Sequence, residues 1–296
     1  MSKEKRRFGD RRDGRLIRQQ DGMHLIMPMI YPNRCDNEAF ISERIDLTSI
    51  DKYLAEKNAD NPEFKYTLFH LIVAAILKTI ILRPKLNRFI ANKNNYQRNT
   101  YSASFVVKKH FDDTSEEGLA FVYATEDSTI DSLHEELRRQ IYREKKSTGA
   151  GNATNNTMDI LNKLPRWFVK FFIWLMRQLD RHGIVPKQII EADPYYASVI
   201  LSNLGSIKLR SGYHHLTNWG TTSIFVVVGE MKERIFRNEN GEDEYRNSVD
   251  LGLTIDERLA DGYYYSKSVR LLKYILEHPE CLERPFSEPV DYLYDI

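Results

Sequence analysis

The stretch VDLGLTIDERLADGYYYSKSV (Val249–Val269) decides the fold. Val249, Leu251, Leu253 and Ile255 alternate with polar or small residues, the period-two pattern of a strand with one apolar face. One further step of two lands on Glu257. Its carboxylate therefore points toward the interior or a lined cleft, where an unpaired charge costs roughly several kcal/mol. Asp261-Gly262 then leads into SKSVRLLKYILEH, a helical pattern stopped by Pro279.

Working back, YASVILSNLG (196–205) and TSIFVVVGEMKERIF (222–236) are strand-like and rich in β-branched residues, and RNENGEDE (237–244) reads as a hairpin turn. YSASFVVKK and LAFVYATE are two earlier strands, followed by an amphipathic helix over 128–146. YTLFHLIVAAILKTIIL (66–82) is apolar nearly all round, which suits a helix buried against a sheet, and Pro84 ends it. Mixed strands and helices with a late hairpin predict a two-layer α/β domain (α+β in arrangement) on a mixed sheet.

Two segments stand apart. Residues 1–22, rich in Arg, Lys, Asp and Gly, predict a flexible basic arm ahead of a domain spanning 23–296. The Gly-, Ala-, Asn- and Thr-rich stretch 147–157 reads as a linker, and a helical insertion follows over about 156–190. In it Leu164, Trp167, Phe168, Phe171, Phe172, Leu175 and Leu179 recur at helical spacing. Lys163, Arg166, Lys170, Arg177 and Arg181 gather on the other face. Either this helix packs on the body, or it meets an acyl chain, a partner or a membrane surface through 164–181.

The chain has 296 residues, 43 Lys and Arg against 42 Asp and Glu, so no overall field draws it to nucleic acid. Cys35 and Cys281 have neither the number of a disulfide framework nor the spacing of a metal site; a cytoplasmic protein without a metal is expected. No secretory signal pattern and no apolar run of spanning length appears, nor a Gly-rich phosphate loop or Gly-x-Ser-x-Gly elbow.

DERLADG with its following helix resembles the C-terminal HxxxDG motif of the chloramphenicol acetyltransferase superfamily, and in particular the DHRxxDG form in the acyltransferase core of 2-oxo acid dehydrogenase complexes. VILSNLGS and TTSIFVVVGEMKER resemble that core's ISNLG strand and its companion; NRCDNEAF and TLFHLIVAAILKTIILRPKLN resemble its early Arg segment and first long helix. The four motifs follow in order over residues 23–280. No lipoyl or subunit-binding domain is recognisable before residue 23.

The resemblance implies a homotrimer with sites at subunit boundaries and CoA or acyl-CoA as substrate. An acyl group would pass from the thioester to a thiol, hydroxyl or amine acceptor. It further implies that Ser202 stabilises the oxyanion and that Asp261 braces the loop through Arg34. The motif's base falls on Glu257, where the family has His. Moving a proton from a thiol (pKa about 8.5) to an ordinary Glu (about 4.3) is uphill by roughly 4 units, or 5 to 6 kcal/mol, against roughly 3 for His. Burial alone would narrow that gap. His214 and His215, just after the Ser202 segment, are candidate substitutes. The alternatives are an inactive relative serving as a trimeric binding module or scaffold, and a peripheral membrane protein acting on lipid.

Overall fold

Residues 6–108, 117–146, 163–238 and 240–292 are described in the computed structural model. The strands are β1 (Gly14–Leu16), β2 (Glu38–Asp46), β3 (Arg88–Ala91), β4 (Asn94–Arg98), β5 (Tyr101–Lys108), β6 (Glu117–Ala124), β7 (Val199–Asn203), β8 (Ile224–Val228), β9 (Lys232–Arg237) and β10 (Asp243–Asp256). The helices are α1 (Gly22–Ile30), α2 (Thr48–Lys57), α3 (Leu68–Leu82), α4 (Ile130–Lys146), α5 (Arg166–Arg181), α6 (Lys187–Ala192) and α7 (Gly262–Glu277).

The main sheet runs β2-β10-β8-β7-β5-β6, with β9 paired to the first half of β10. β7 lies parallel to both β5 and β8, while the other pairs are antiparallel, so the sheet is mixed as its sequence predicts. The alternating row Val249, Leu251, Leu253 and Ile255 joins Val226, Val228, Val199 and Leu201 in the core with residues of α2, α3, α4 and α7. α3 is buried without a break from His70 to Ile81, which explains why its sequence lacks a polar face. Its one cation in that run, Lys78, donates from Nζ to the Pro285 carbonyl at 2.8 Å.

The other face carries a smaller cluster of Ile200, Leu216, Phe225 and Val227. Here a loop takes the place of helices. Gly252 is glycine because any side chain would run into the Gly212 carbonyl passing over it. Residues 251–256 are consequently buried on both faces of the sheet.

A second sheet, β1-β4-β3, packs Phe89, Ala91 and Tyr96 into its own cluster. It overturns the flexible arm for residues 6–22. β1 pairs with β4, and Arg11 is buried, donating to Asp13 Oδ1 at 2.8 Å and to Asp180 Oδ1 of α5 at 2.8 Å. Its guanidinium also lies 5.5 Å from the Phe89 ring centroid. Counted singly, Arg and Asp look solvent-loving; paired against aromatic rings they form a clasp between the N-terminal segment and α5. A boundary at residue 22 would also cut α1, whose N-cap is Asp21.

The predicted linker at 147–157 lies outside the described residues. The helix beyond it is present as α5, and its apolar stripe is split: Phe172 and Leu179 are half-buried, and the rest is exposed. Met176 is its one buried residue, while Trp167, Phe171 and Trp174 face solvent.

Candidate active site

β10 ends at Asp256, and the turn that follows holds itself together with charge. Asp256 is fully buried and takes a two-pronged contact from Arg258, which donates from Nε to Oδ1 at 2.8 Å and from Nη2 to Oδ2 at 2.6 Å. A second guanidinium lies near the same oxygen, with Arg34 Nε 3.8 Å from Asp256 Oδ2. Arg34 is otherwise spent on backbone, donating to the carbonyls of Thr217 at 2.6 Å and Gly220 at 3.1 Å. Burial pulls the Arg34 guanidinium below its usual range, and Asp256 opposes that shift. The expected brace is thus corrected: Arg34 works on Asp256, and Asp261 instead caps α7, accepting from the Tyr264 N–H at 2.8 Å. That bond holds the exposed Asp261 carboxyl below the ordinary range.

The same turn positions α1. Arg258 donates to the Tyr31 carbonyl just past the helix end at 2.6 Å, and Asn95 of β4 donates to the His24 carbonyl near its start at 2.8 Å. Pinned at both ends, α1 forms one wall of a cleft of about 730 Å³ whose other walls are β2, the β10–α7 turn and α7.

Glu257 faces that cleft. Its strand parity would have allowed an interior position, but the strand ends one residue earlier and the turn leaves Glu257 exposed, its N–H donating to the Asn37 carbonyl at 3.1 Å. Neither Arg34 nor Arg258 is locked to it. Glu257 therefore meets solvent at the cleft rather than the core of the sheet.

What the cleft does contain is a histidine. His24, on α1 and half-buried, lines it together with Glu257, and its Nδ1 lies 2.7 Å from Asp21 Oδ2. Asp21 also accepts the His24 backbone N–H at 3.0 Å, the leading cause of its lowered pKa. A carboxylate on Nδ1 fixes the tautomer that leaves Nε2 available, the arrangement a general base needs. His24 has no sequence context when Asp21 is assigned to a disordered arm. The readable signal is Asp21 as N-cap with His24 three residues on, ahead of the apolar run LIMPMI.

Ser202 stands elsewhere. It pairs across β7–β8 with Val227, in the row of Ile200 on the loop-covered face, and is half-buried. His214 shares that side, its exposed ring stacked on Phe225 at 4.1 Å, with Nδ1 2.9 Å from the His215 carbonyl. His215 is exposed and stacks on His214 at 4.8 Å. Ile255, the last apolar residue before the Glu257 turn, belongs to the opposite, helix-covered core. One chain therefore gathers His24, Glu257 and Asp261 on one side of the sheet and leaves Ser202, His214 and His215 on the other. Among the described residues no group of His, Cys, Asp and Glu is arranged to hold a metal ion.

No protein-family model matches the chain, and no curated protein sequence does. Solved structures do. A probable dihydrolipoamide acetyltransferase from Listeria monocytogenes superposes with a TM-score of 0.56 at 15% identity, covering 93% of this chain and 97% of the other. Dihydrolipoamide acetyltransferase from Azotobacter vinelandii gives 0.57 at 13% identity over 89% and 93%. A chloramphenicol acetyltransferase gives 0.54 at 12% identity over 89% and 99%. At these identities the likeness establishes the fold, which agrees with the resemblance carried by the sequence motifs.

Proposed function

From a chain with the chloramphenicol acetyltransferase-like fold, we propose an acyltransferase-like protein whose site is completed between copies of itself, as a homotrimer. CoA or another acyl thioester is the donor, and a thiol, hydroxyl or amine is the acceptor. The observation that carries this reading is the division of the candidate groups between two faces of one sheet. The cleft of one copy holds the His24–Asp21 pair and Glu257, and Ser202 comes from its neighbour. α1 supports the same arrangement, because beside the cleft it exposes Leu25, Ile26, Met29 and Ile30, an apolar surface suited to a second copy.

In this reading His24 Nε2 takes the proton of the acceptor, and the acceptor attacks the thioester carbonyl carbon. The Ser202 hydroxyl of the neighbouring copy donates to the oxyanion. Collapse breaks the carbon–sulfur bond, and the proton passes from His24 to the departing thiolate. Glu257, facing the cleft in water, serves as a hydrogen-bond acceptor that holds the incoming O–H or N–H. The walls at Met23, Met27, Ile41 and Val269 suit aliphatic parts of the substrates.

A screen of acyl-CoA thioesters for CoA release tests this, comparing the native chain with His24→Gln, Ser202→Ala and Glu257→Gln. Losses of about 100-fold or more for His24→Gln and Ser202→Ala, with a smaller loss for Glu257→Gln, are expected. Equal rates in all four overturn the mechanism. Absence of CoA release from all four favours the inactive binding module.

A further inference from the structure

We propose that α5 is an interfacial helix that seats the protein on anionic lipid. The inference is independent of acyl transfer and begins from the way α5 meets the body. Its inward side carries Met176, which is buried, and Asp180, which binds Arg11 and accepts from the Tyr196 hydroxyl at 3.0 Å. At about 100° per residue, Trp167, Phe171 and Trp174 fall within an arc of roughly 60° on the opposite side. They are 70%, 53% and 54% exposed. Large aromatic side chains are rarely left in water to this extent on a helix whose other face packs against the body.

Charge selects the occupant. Arg166, Lys170, Arg177 and Arg181 form the neighbouring arc, and Lys163 precedes the helix. The single acid of α5 is Asp180, turned inward and neutralised by Arg11. The outer surface of α5 thus presents aromatic rings beside a row of cations with no carboxylate of its own. A chain of formal charge +1 concentrates positive charge there. Pairing this face with its copy on another chain would set cations against cations, which disfavours self-association through it. A layer of anionic headgroups over acyl chains matches both halves: cations at the phosphates, indole and phenyl rings at the boundary.

Length sets the geometry. Sixteen residues make a helix of about 24 Å, shorter than a bilayer core, and no helix among the described residues is long and apolar enough to cross a membrane. α5 therefore lies in the plane of the surface.

Co-sedimentation of the full chain with vesicles tests the inference. Phosphatidylcholine containing phosphatidylglycerol is compared with phosphatidylcholine alone, at low and high salt. Binding is expected on the anionic vesicles, with about a tenfold weaker association on neutral ones or in high salt. Trp167→Ser/Phe171→Ser/Trp174→Ser and Lys170→Glu/Arg177→Glu should each reduce it about tenfold or more, while thermal unfolding and sedimentation size stay as in the native chain. Absence of binding to anionic vesicles overturns the proposal, as does binding that neither variant alters. A change of oligomeric size in the aromatic variant would mark α5 as a contact between copies and overturn it equally.

Discussion

The two faces of the main sheet are built differently. On one, helices seal a continuous apolar core and α1 is held over a cleft by buried charge. On the other, a loop is laid across the strands by backbone contact, with Gly252 leaving room for Gly212 and His214 resting on Phe225. The helix side holds its chemistry in place through Asp256, Arg258 and Asn95, whereas the loop side holds Ser202 on the rigid strand itself. In the proposed site each half is thus fixed on its own side of the sheet, and one chain does not bring the two together.

The largest effect should come from the charge cluster at which the two faces meet. Asp256→Ala leaves Arg34 and Arg258 buried without their carboxylate, and should cost about 3 to 5 kcal/mol in urea unfolding. A loss below about 1 kcal/mol would mean that the cluster does not hold the turn.

Next is pH, on the helix side. Burial, and secondarily the charge of His134, push His70 from 6.5 down to about 4. Because the folded value is the lower one, the unfolded chain takes up its proton first as pH falls. Stability is full above about 6.5 and is lost progressively down to about 4, by on the order of 3 kcal/mol. Denaturation midpoints across that window should show the slope, and His70→Gln should flatten it.

The loop side should respond less. Gly252→Ala forces the Gly212 strap off β10, an expected loss of about 1 to 3 kcal/mol accompanied by faster amide exchange over 209–216. Smallest is His214→Ala, which removes the stacking of an exposed ring on Phe225 and His215, worth roughly 1 kcal/mol, and should leave CoA release unchanged. A large catalytic loss there would move the base to the Ser202 face and displace His24.

Much of this was legible in sequence. Strict alternation at Val249–Ile255 fixed the strand and its buried face, because period two is set by backbone geometry alone. The all-round apolarity of 66–82 marked α3 for the same kind of reason. Parity failed at Glu257 because the strand stops at Asp256, where the Arg258 contact bends the chain; pairing of that sort leaves no period to read. Arg11 reads as solvated in sequence because Asp180, Phe89 and Tyr96, which enclose it together with the nearby Asp13, lie far along the chain. His24 was lost with Arg11, since its meaning depends on Asp21 capping a helix and on Arg258, more than 200 residues away, holding that helix over the cleft. α5 was open in sequence, its apolar stripe suiting either the body or an outside surface; in the fold Phe172 and Leu179 are half-buried while Trp167, Phe171 and Trp174 face outward.

The most direct test of a site shared between copies is complementation. Ser202→Ala and His24→Gln chains are unfolded, mixed in equal amounts and refolded together, and CoA release is compared with each variant refolded alone. Sites that join a native cleft to a native Ser202 should restore roughly a quarter of the native rate, as random mixing of subunits requires. A mixture no more active than its parents, from a native chain that is itself active after the same treatment, would contradict the account.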